Sequence, residues 1–307
     1  MLGIVVVSFG SASLLRANLA GLDRSAMRTP STVVVVDNFR GSGARDAVRT
    51  VSHELGWELV ENATNAGFGT AANAGVARAA ALGCTAVVVV NPDAAADAHV
   101  LDELAGQVAA TPRTLVSPRV LRPDGRPWFT GGRIDLRAGR TRNVDLPTAP
   151  RTEGWLSGAC LAADVTWWQE LGGFDDDFFL YWEDVDLSYR CTRAGGTLLV
   201  RQDLEVLHDV GGTQEPAAGS RAKSSTYYYY NCRNRLLFAA RHLGRGDVGR
   251  WLVSQPAYAW SVLLRGGRRQ LLRPWSPVGA VVRGSCAGAW LAVRALLTGR
   301  APRTVAA

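Results

Sequence analysis

Four short apolar runs near the start of the chain close on polar side chains: Ser8-Phe9-Gly10-Ser11, Asp37-Asn38, Glu61-Asn62 and Asn91-Pro92-Asp93. A carboxylate at such a position can hold a hard divalent cation, accept from a ring N–H, or simply cap the following helix. A second concentration of reactive types is Phe178-Phe179-Leu180-Tyr181-Trp182 followed by Glu183, Asp184 and Asp186. Acids in the first turn of a helix are favoured by its dipole, which keeps a carboxylate ionised and able to take a proton. The plain alternative is that these acids only cap the helix. His208, at the end of a later apolar run, could be a metal ligand or a hydrogen-bonded loop histidine.

These residues need a frame, and the first half of the chain supplies one. Residues 3–8, 32–37, 57–61, 85–91 and 114–120 are continuous β-branched or apolar runs, as expected of strands covered on both faces. Residues 14–22, 44–55, 69–82 and 98–110 between them have helical composition. The alternation predicts an α/β fold with a doubly wound, mostly parallel sheet, in which ligands bind beyond the carboxyl ends of the strands. A dinucleotide-binding domain would carry G-x-G-x-x-G after its first strand; here Gly67-Phe68-Gly69 comes only after the third.

Residues 122–150, rich in Gly, Pro and Arg, read as a hairpin or mobile loop. Structure is expected to resume at 152–162, with a helix near 164–171, a solvated turn at Asp175-Asp176-Asp177 and a helix from Asp184 to about Arg193. Strands at 197–200 and 204–208, a polar loop and a helix over 223–242 follow. His53 and His99 fall in helical contexts with no chemical partner in sequence.

Net charge is +7, but residues 244–307 hold ten arginines against one acid, Asp247, so the tail carries +9 and the rest −2. Lys223 is the sole lysine, so codon bias contributes to the arginine content. The division suggests a catalytic or binding body at 1–243 and a basic helical tail at 244–307 that touches an anionic surface. Apolar stretches at 251–264 and 278–297 with Trp251, Trp260, Trp275 and Trp290 predict amphipathic helices lying in a membrane interface; an ordinary helical hairpin packed on the body is the bland reading. Arg265, Arg283 and Arg294 are expected to interrupt every run before it reaches the roughly 20 apolar residues of a membrane span. Five cysteines without a C-x-x-C pair point to neither a disulfide framework nor a zinc site and fit a reducing cytoplasm, with the protein peripheral on the inner face of the cell membrane.

Together the motifs resemble the inverting family 2 glycosyltransferases of the GT-A fold, over roughly residues 3–240. Val5-Val6-Val7-Ser8-Phe9-Gly10 is similar to the opening strand and turn, Val35-Val36-Asp37-Asn38 to the nucleotide-contacting strand end, and Asn65-Ala66-Gly67-Phe68-Gly69 with Ala72-Asn73-Ala74-Gly75 to the Asn/Gly-rich helix start. Asn91-Pro92-Asp93 is similar to the metal motif, although many members carry two or three acids there. Gly172-Gly173-Phe174-Asp175 through Asp186 resembles the acceptor and base segment, and Tyr227 to Asn234 a late Tyr-rich Arg-Asn motif. The pattern is nearest to rhamnosyltransferase-like and galactofuranosyltransferase-like members.

The resemblance implies that Asp93 and His208 hold Mg2+ or Mn2+ on a nucleotide-diphosphate sugar, and that Asp184 is the general base with Trp182 and Glu183 as acceptor contacts. Ser8, Phe9, Asp37, Asn65, Gly67 and Asn73 would bind the nucleotide, Asp37 accepting from a uracil or thymine N–H and Gly67 permitting close backbone approach. Trp155, Ser157 and Gly158 would line the donor-sugar pocket, with a core position the alternative for Trp155. Arg233 would either pair with diphosphate or brace the C-terminal helix. The implied reaction transfers a sugar, rhamnose from dTDP-rhamnose first among the candidates, to a lipid-linked or cell-envelope glycan. Rival readings are a nucleotidyltransferase or oxidoreductase on a similar sheet, and a non-catalytic nucleotide-sugar-binding or basic interaction protein. Long aliphatic runs beside the tail tryptophans argue against nucleic acid as the partner.

Overall fold

The computed structural model describes residues 1–146, 152–209, 223–267 and 275–299. Alternating strands and helices build its first half: β1 (Leu2–Ser8), α1 (Ala12–Leu19), β2 (Ser31–Asp37), α2 (Ser42–Glu54), β3 (Glu58–Glu61), α3 (Phe68–Ala81), β4 (Ala86–Val90), a short β5 (Ala94–Ala95), α4 (Ala98–Ala110) and β6 (Thr114–Leu121). The sequence runs and these elements agree to within a few residues. Strands β3, β2, β1 and β4 are adjacent and parallel in that order. Val5 and Val7 of β1 enter one core while Ile4 and Val6 enter the core on the other face, so an uninterrupted apolar run is what a doubly covered strand requires.

Beyond β4 the sheet becomes mixed. The stretch expected to resume structure at 152–162 holds two strands, β10 (Thr152–Trp155) and β11 (Cys160–Asp164), and β11 inserts antiparallel between β4 and β6. Residues 122–146 form β7 (Pro127–Phe129), β8 (Gly132–Asp135) and β9 (Arg140–Asn143), with β10, β8 and β9 making a small second sheet; residues 147–150 lie outside the described residues. Helices α5 (Val165–Leu171) and α6 (Glu183–Arg193) follow. The two late strands are one, β12 (Thr197–His208), whose pairing with β6 is irregular between Arg201 and Glu205. The polar loop expected after His208 falls largely at 210–222, outside the described residues.

Helix α7 (Ser225–His242) leads into α8 (Arg245–Val253), α9 (Gln255–Leu264) and α10 (Trp275–Thr298). Two expectations about this tail are corrected. Arg283 and Arg294 do not break α10, because two charges in 24 residues of otherwise small and apolar side chains leave it long and apolar enough, by length and composition, to cross a membrane. Trp251 is not a boundary tryptophan but is fully buried, stacked on Phe238. The buried Arg235 guanidinium donates to Gly139 O and Trp251 O and to Gln255 Oε1, each at 2.8 Å, so the tail is clamped to the body. No carboxylate faces it in these bonds, and burial pulls its pKa down to about 10.

Helix α10 packs on α7 through Ala280, Gly284, Gly288 and Ala292, spaced four apart and so aligned on one face. A side chain at Gly284 would run into the Tyr229 carbonyl, and one at Gly288 would sit 2.9 Å from Arg233 O. Replacing Gly284 by Val is therefore expected to push the helices apart and cost about 1–3 kcal/mol, the usual penalty of overpacking, measured by urea denaturation.

Candidate functional site

The order β3-β2-β1-β4 reverses direction between β1 and β4, which opens a crevice at their carboxyl ends. At the β2 end, Asp37 is fully buried; Arg45 Nε donates to its Oδ2 at 2.5 Å, while Oδ1 has no hydrogen-bond partner among the described residues. A buried carboxylate oxygen with a free lone pair is costly unless a ligand donor meets it, and a pyrimidine N–H would do so. Arg45, which sequence reasoning missed, is half-buried beneath Phe39 and holds that carboxylate in place. Ser8 is also buried, with its hydroxyl accepting from Ser11 N at 3.1 Å, and Phe9 stands exposed beside it.

Asn65, Gly67 and Asn73 serve mainly to shape the site. Asn65 Oδ1 accepts from Asn38 Nδ2 at 2.9 Å and from Gly67 N at 3.0 Å, closing the turn before α3. Gly67 has φ +85°, and a Cβ there would strike the Phe179 carbonyl, which accepts from Phe68 N at 2.7 Å. Its close approach is thus to the 175–182 loop. Asn73 grips the residue that leads into this loop, donating to Phe174 O at 2.8 Å and accepting from Phe174 N at 2.9 Å.

The 175–182 loop is strained: Phe179, Tyr181 and Trp182 all have positive φ, at 31°, 65° and 75°. Asn234 of α7 restrains it, its Nδ2 reaching Phe178 O, Leu180 O and Tyr181 O at 2.9, 3.0 and 2.8 Å. Arg233 donates to Asp177 O at 2.7 Å, which supports bracing over diphosphate pairing. Asp175 and Asp177 pair with Arg241, so the aspartate run is pinned and not a free solvated turn. Replacing Asn234 by Leu should leave these carbonyls without their common donor and cost about 1–3 kcal/mol, measured as a fall in urea-denaturation stability.

This loop delivers Asp184 into the first turn of α6. Asp184 Oδ2 accepts from Gly158 N at 3.1 Å and Oδ1 from Val185 N at 2.8 Å. Desolvation raises its carboxyl to about 6, against the pull of those backbone donors. Glu183 is buried, its Oε2 lacks a partner among the described residues, and desolvation with the neighbouring Asp184 charge pushes it well above the usual range. Asp186 is withdrawn from the chemistry, bonded to His242 Nε2 at 2.6 Å and Arg190 Nε at 2.7 Å. Trp182 differs from its expected place at the acceptor: its indole is buried against Phe238 and Trp251. Half-buried Phe179, stacked on Tyr230, and Tyr181, edge-on to Tyr227, supply the aromatic wall instead.

Across the turn between β10 and β11, Gly158 N reaches Asp184 while Ala159 O accepts from Asn91 N at 2.9 Å. Two consecutive residues thus join the acidic segment to the Asn91-Pro92-Asp93 turn. Ser157 is buried in this turn, its hydroxyl accepting from Ala159 N at 3.2 Å. Trp155 lies in the core 5.0 Å from Phe129, with Nε1 unpartnered among the described residues.

Asp93 and His208 meet although 115 residues apart: β12 pairs with β5, and His208 Nε2 lies 3.0 Å from Asp93 Oδ1. Both are buried, His208 Nδ1 has no partner among the described residues, and Trp128 sits edge-on to the imidazole. A carboxylate and an imidazole are donor types that a small divalent cation takes, so the pair would suit one in its chemistry; here the two groups meet each other at hydrogen-bond distance. The set is thin: among the described residues no three His, Cys, Asp or Glu gather. His53 and His99 are exposed and lie apart from this pair.

The family described as "Glycosyltransferase like family 2" matches residues 2–224. The chain is 28% identical over 273 residues to N-acetylglucosaminyl-diphospho-decaprenol L-rhamnosyltransferase of Mycobacterium tuberculosis, covering 80% of this chain and 86% of that protein. It is 26% identical over 243 residues to the low-salt glycan biosynthesis hexosyltransferase Agl10 of Haloferax volcanii, covering 77% and 74%. Among solved structures, the mannosyltransferase PcManGT of Pyrobaculum calidifontis, in complex with GDP-Man and Mn2+, superposes with a TM-score of 0.53 at 18% identity over 97% of this chain and 87% of that one. GalNAc-T7 with UDP, GalNAc and Mn2+ gives 0.57 at 15% identity over 78% of this chain, which spans half of that protein. With a family match that runs from β1 past the end of β12 and takes in both the Asp93–His208 pair and the Asp184 turn, the chain belongs to the glycosyltransferase-like family 2, and it is a glycosyltransferase of GT-A fold.

Proposed function

We propose that this glycosyltransferase is metal-dependent and inverting, and that it moves rhamnose from dTDP-rhamnose to a lipid-linked, cell-envelope glycan at the cytoplasmic face of the membrane. The observation that carries the reading is the 158–159 turn, bonded on one side to Asp184 and on the other to the strand end bearing Asp93. A donor between these points would present its anomeric carbon to a hydroxyl held by Asp184. The name of the M. tuberculosis relative supports both the sugar and a polyprenyl-diphosphate acceptor.

Asp37 Oδ1 accepts the N–H of a thymine or uracil ring, its other oxygen being fixed by Arg45. Glu183, whose burial favours the neutral acid, can donate from its free oxygen to an acceptor hydroxyl or ring oxygen. Asp184 takes the proton of the attacking hydroxyl while the bond to the nucleotide diphosphate breaks, a single displacement that inverts the anomeric centre. A divalent cation held by Asp93 and His208 would offset the charge gathering on the departing diphosphate.

The test is calorimetric titration with UDP, dTDP and GDP, each with and without Mn2+, followed by turnover of dTDP-rhamnose. Metal-dependent binding of dTDP and rhamnose transfer are expected. Binding of GDP alone, or of no nucleotide, would overturn the donor assignment.

A further inference from the structure

Helix α10 has two apolar faces, and α7 covers only one of them. On the opposite stripe Trp275 is 88%, Leu297 78% and Trp290 55% exposed, with Val282 and Val293 alongside. Next to it, α9 exposes Trp260 and Leu264, and Val253 precedes them. An apolar groove of about 370 Å3 runs between the two helices, lined by Leu252, Pro256, Ala259, Val282, Cys286 and Ala289. A contiguous apolar surface of this kind on a folded domain marks an interaction site.

Charge identifies the occupant. Neither α9 nor α10 contains an acid, and Arg283 and Arg294 flank the stripe, exposed and without an ion-pair partner among the described residues. The Arg294 guanidinium stands 5.3 Å over the Trp290 ring, an arrangement suited to the headgroup level of a bilayer, where both groups are favoured. A second copy of this face would bring its own Arg283 and Arg294 and no acid from α9 or α10 to pair with them. An anionic bilayer offers hydrocarbon to the stripe and phosphate to the arginines at once.

We infer that the outward face of α9 and α10 is a docking surface for an anionic lipid bilayer, with the groove between them open to a hydrocarbon chain. Helix α10 lies in the plane of the interface, because its small-residue face is fixed to α7, and a spanning α10 would carry the arginines of α7 into hydrocarbon. The consequence for catalysis rests on the lipid-linked acceptor proposed above: α7 separates the lipid face from the acceptor loop by one helix, touching α10 through Tyr229 and the loop through Asn234.

Flotation of the full chain with phosphatidylcholine vesicles, with and without an equal share of phosphatidylglycerol, tests this. Binding is expected only or mainly to the anionic vesicles and should weaken with salt. Trp290→Ser with Leu297→Ser should lower it about tenfold or more through lost apolar burial, and Arg283→Glu with Arg294→Glu should lower it by at least as much. All four side chains are exposed, so unchanged circular dichroism and melting are expected and are the control. Vesicle binding that is absent in the parent, or equal in parent and variants, would overturn the surface. Sedimentation showing a dimer that the Trp290 and Leu297 changes dissociate would replace lipid by a second copy. Asp184→Asn should bind vesicles like the parent, so a failed catalytic reading and a failed lipid surface give different results.

Discussion

Replacing Asp184 by Asn is expected to leave donor binding intact and to lower turnover by about 10²–10⁴-fold, the usual contribution of a general base. The amide has nearly the shape of the carboxylate, and its single oxygen can keep the bond from Gly158 N that holds the 158–159 turn, at the cost of the bond from Val185 N, while the proton acceptor is lost. In the parent enzyme kcat/KM should rise with pH as Asp184 ionises, around its raised value of about 6, and that limb should vanish in the variant. Stability should move the other way. A carboxyl raised by desolvation binds its proton more tightly folded than unfolded, so it stabilises the fold below its ordinary 3.8 and loses that contribution as pH rises through about 6. The neutral amide is spared this loss, and Asp184→Asn should gain in melting temperature relative to the parent between pH 4 and pH 7. Unchanged turnover would remove Asp184 from the mechanism; equal melting at both pH values would remove desolvation as the cause of its shift.

Much of this site was readable because its residues end strands. An apolar run that stops at Asp37-Asn38 or Asn91-Pro92-Asp93 announces both the strand and the polar group it exposes, and β1, β2, β4 and β6 lie within a few residues of the expected spans. Pairing was less accessible. Whether 160–164 joins the sheet parallel or antiparallel depends on partners far away in the chain, yet the insertion of β11 is what brings Gly158 to Asp184 and Ala159 to Asn91. Side-chain direction was also hidden: five consecutive residues, 178–182, look alike in composition, but the backbone turns at positive φ send Trp182 inward while Phe179 and Tyr181 stay half-buried at the surface. The restraint that makes those turns tolerable, Asn234, was legible only as one member of the Tyr227 to Asn234 motif, whose sequence does not say which loop its amide reaches.

At Asp93, replacement by Asn is expected to abolish the metal-dependent part of nucleotide diphosphate binding and to lower turnover on the order of 10³-fold, since offsetting leaving-group charge contributes several kcal/mol. The binding measurement separates this from a folding defect, because metal-free nucleotide affinity, carried by Asp37 and its support from Arg45, should stay as it was. His208→Ala should have the smaller effect of the two, as a carboxylate brings charge as well as a lone pair. The imidazole also shifts the expected preference towards Mn2+ over the harder Mg2+, and that preference should shrink in the His208 variant. If Asp93→Asn keeps full Mn2+-dependent binding of dTDP, the pair joined at the β4 and β12 ends is a structural hydrogen bond, and the cation must be held by the donor and by other groups.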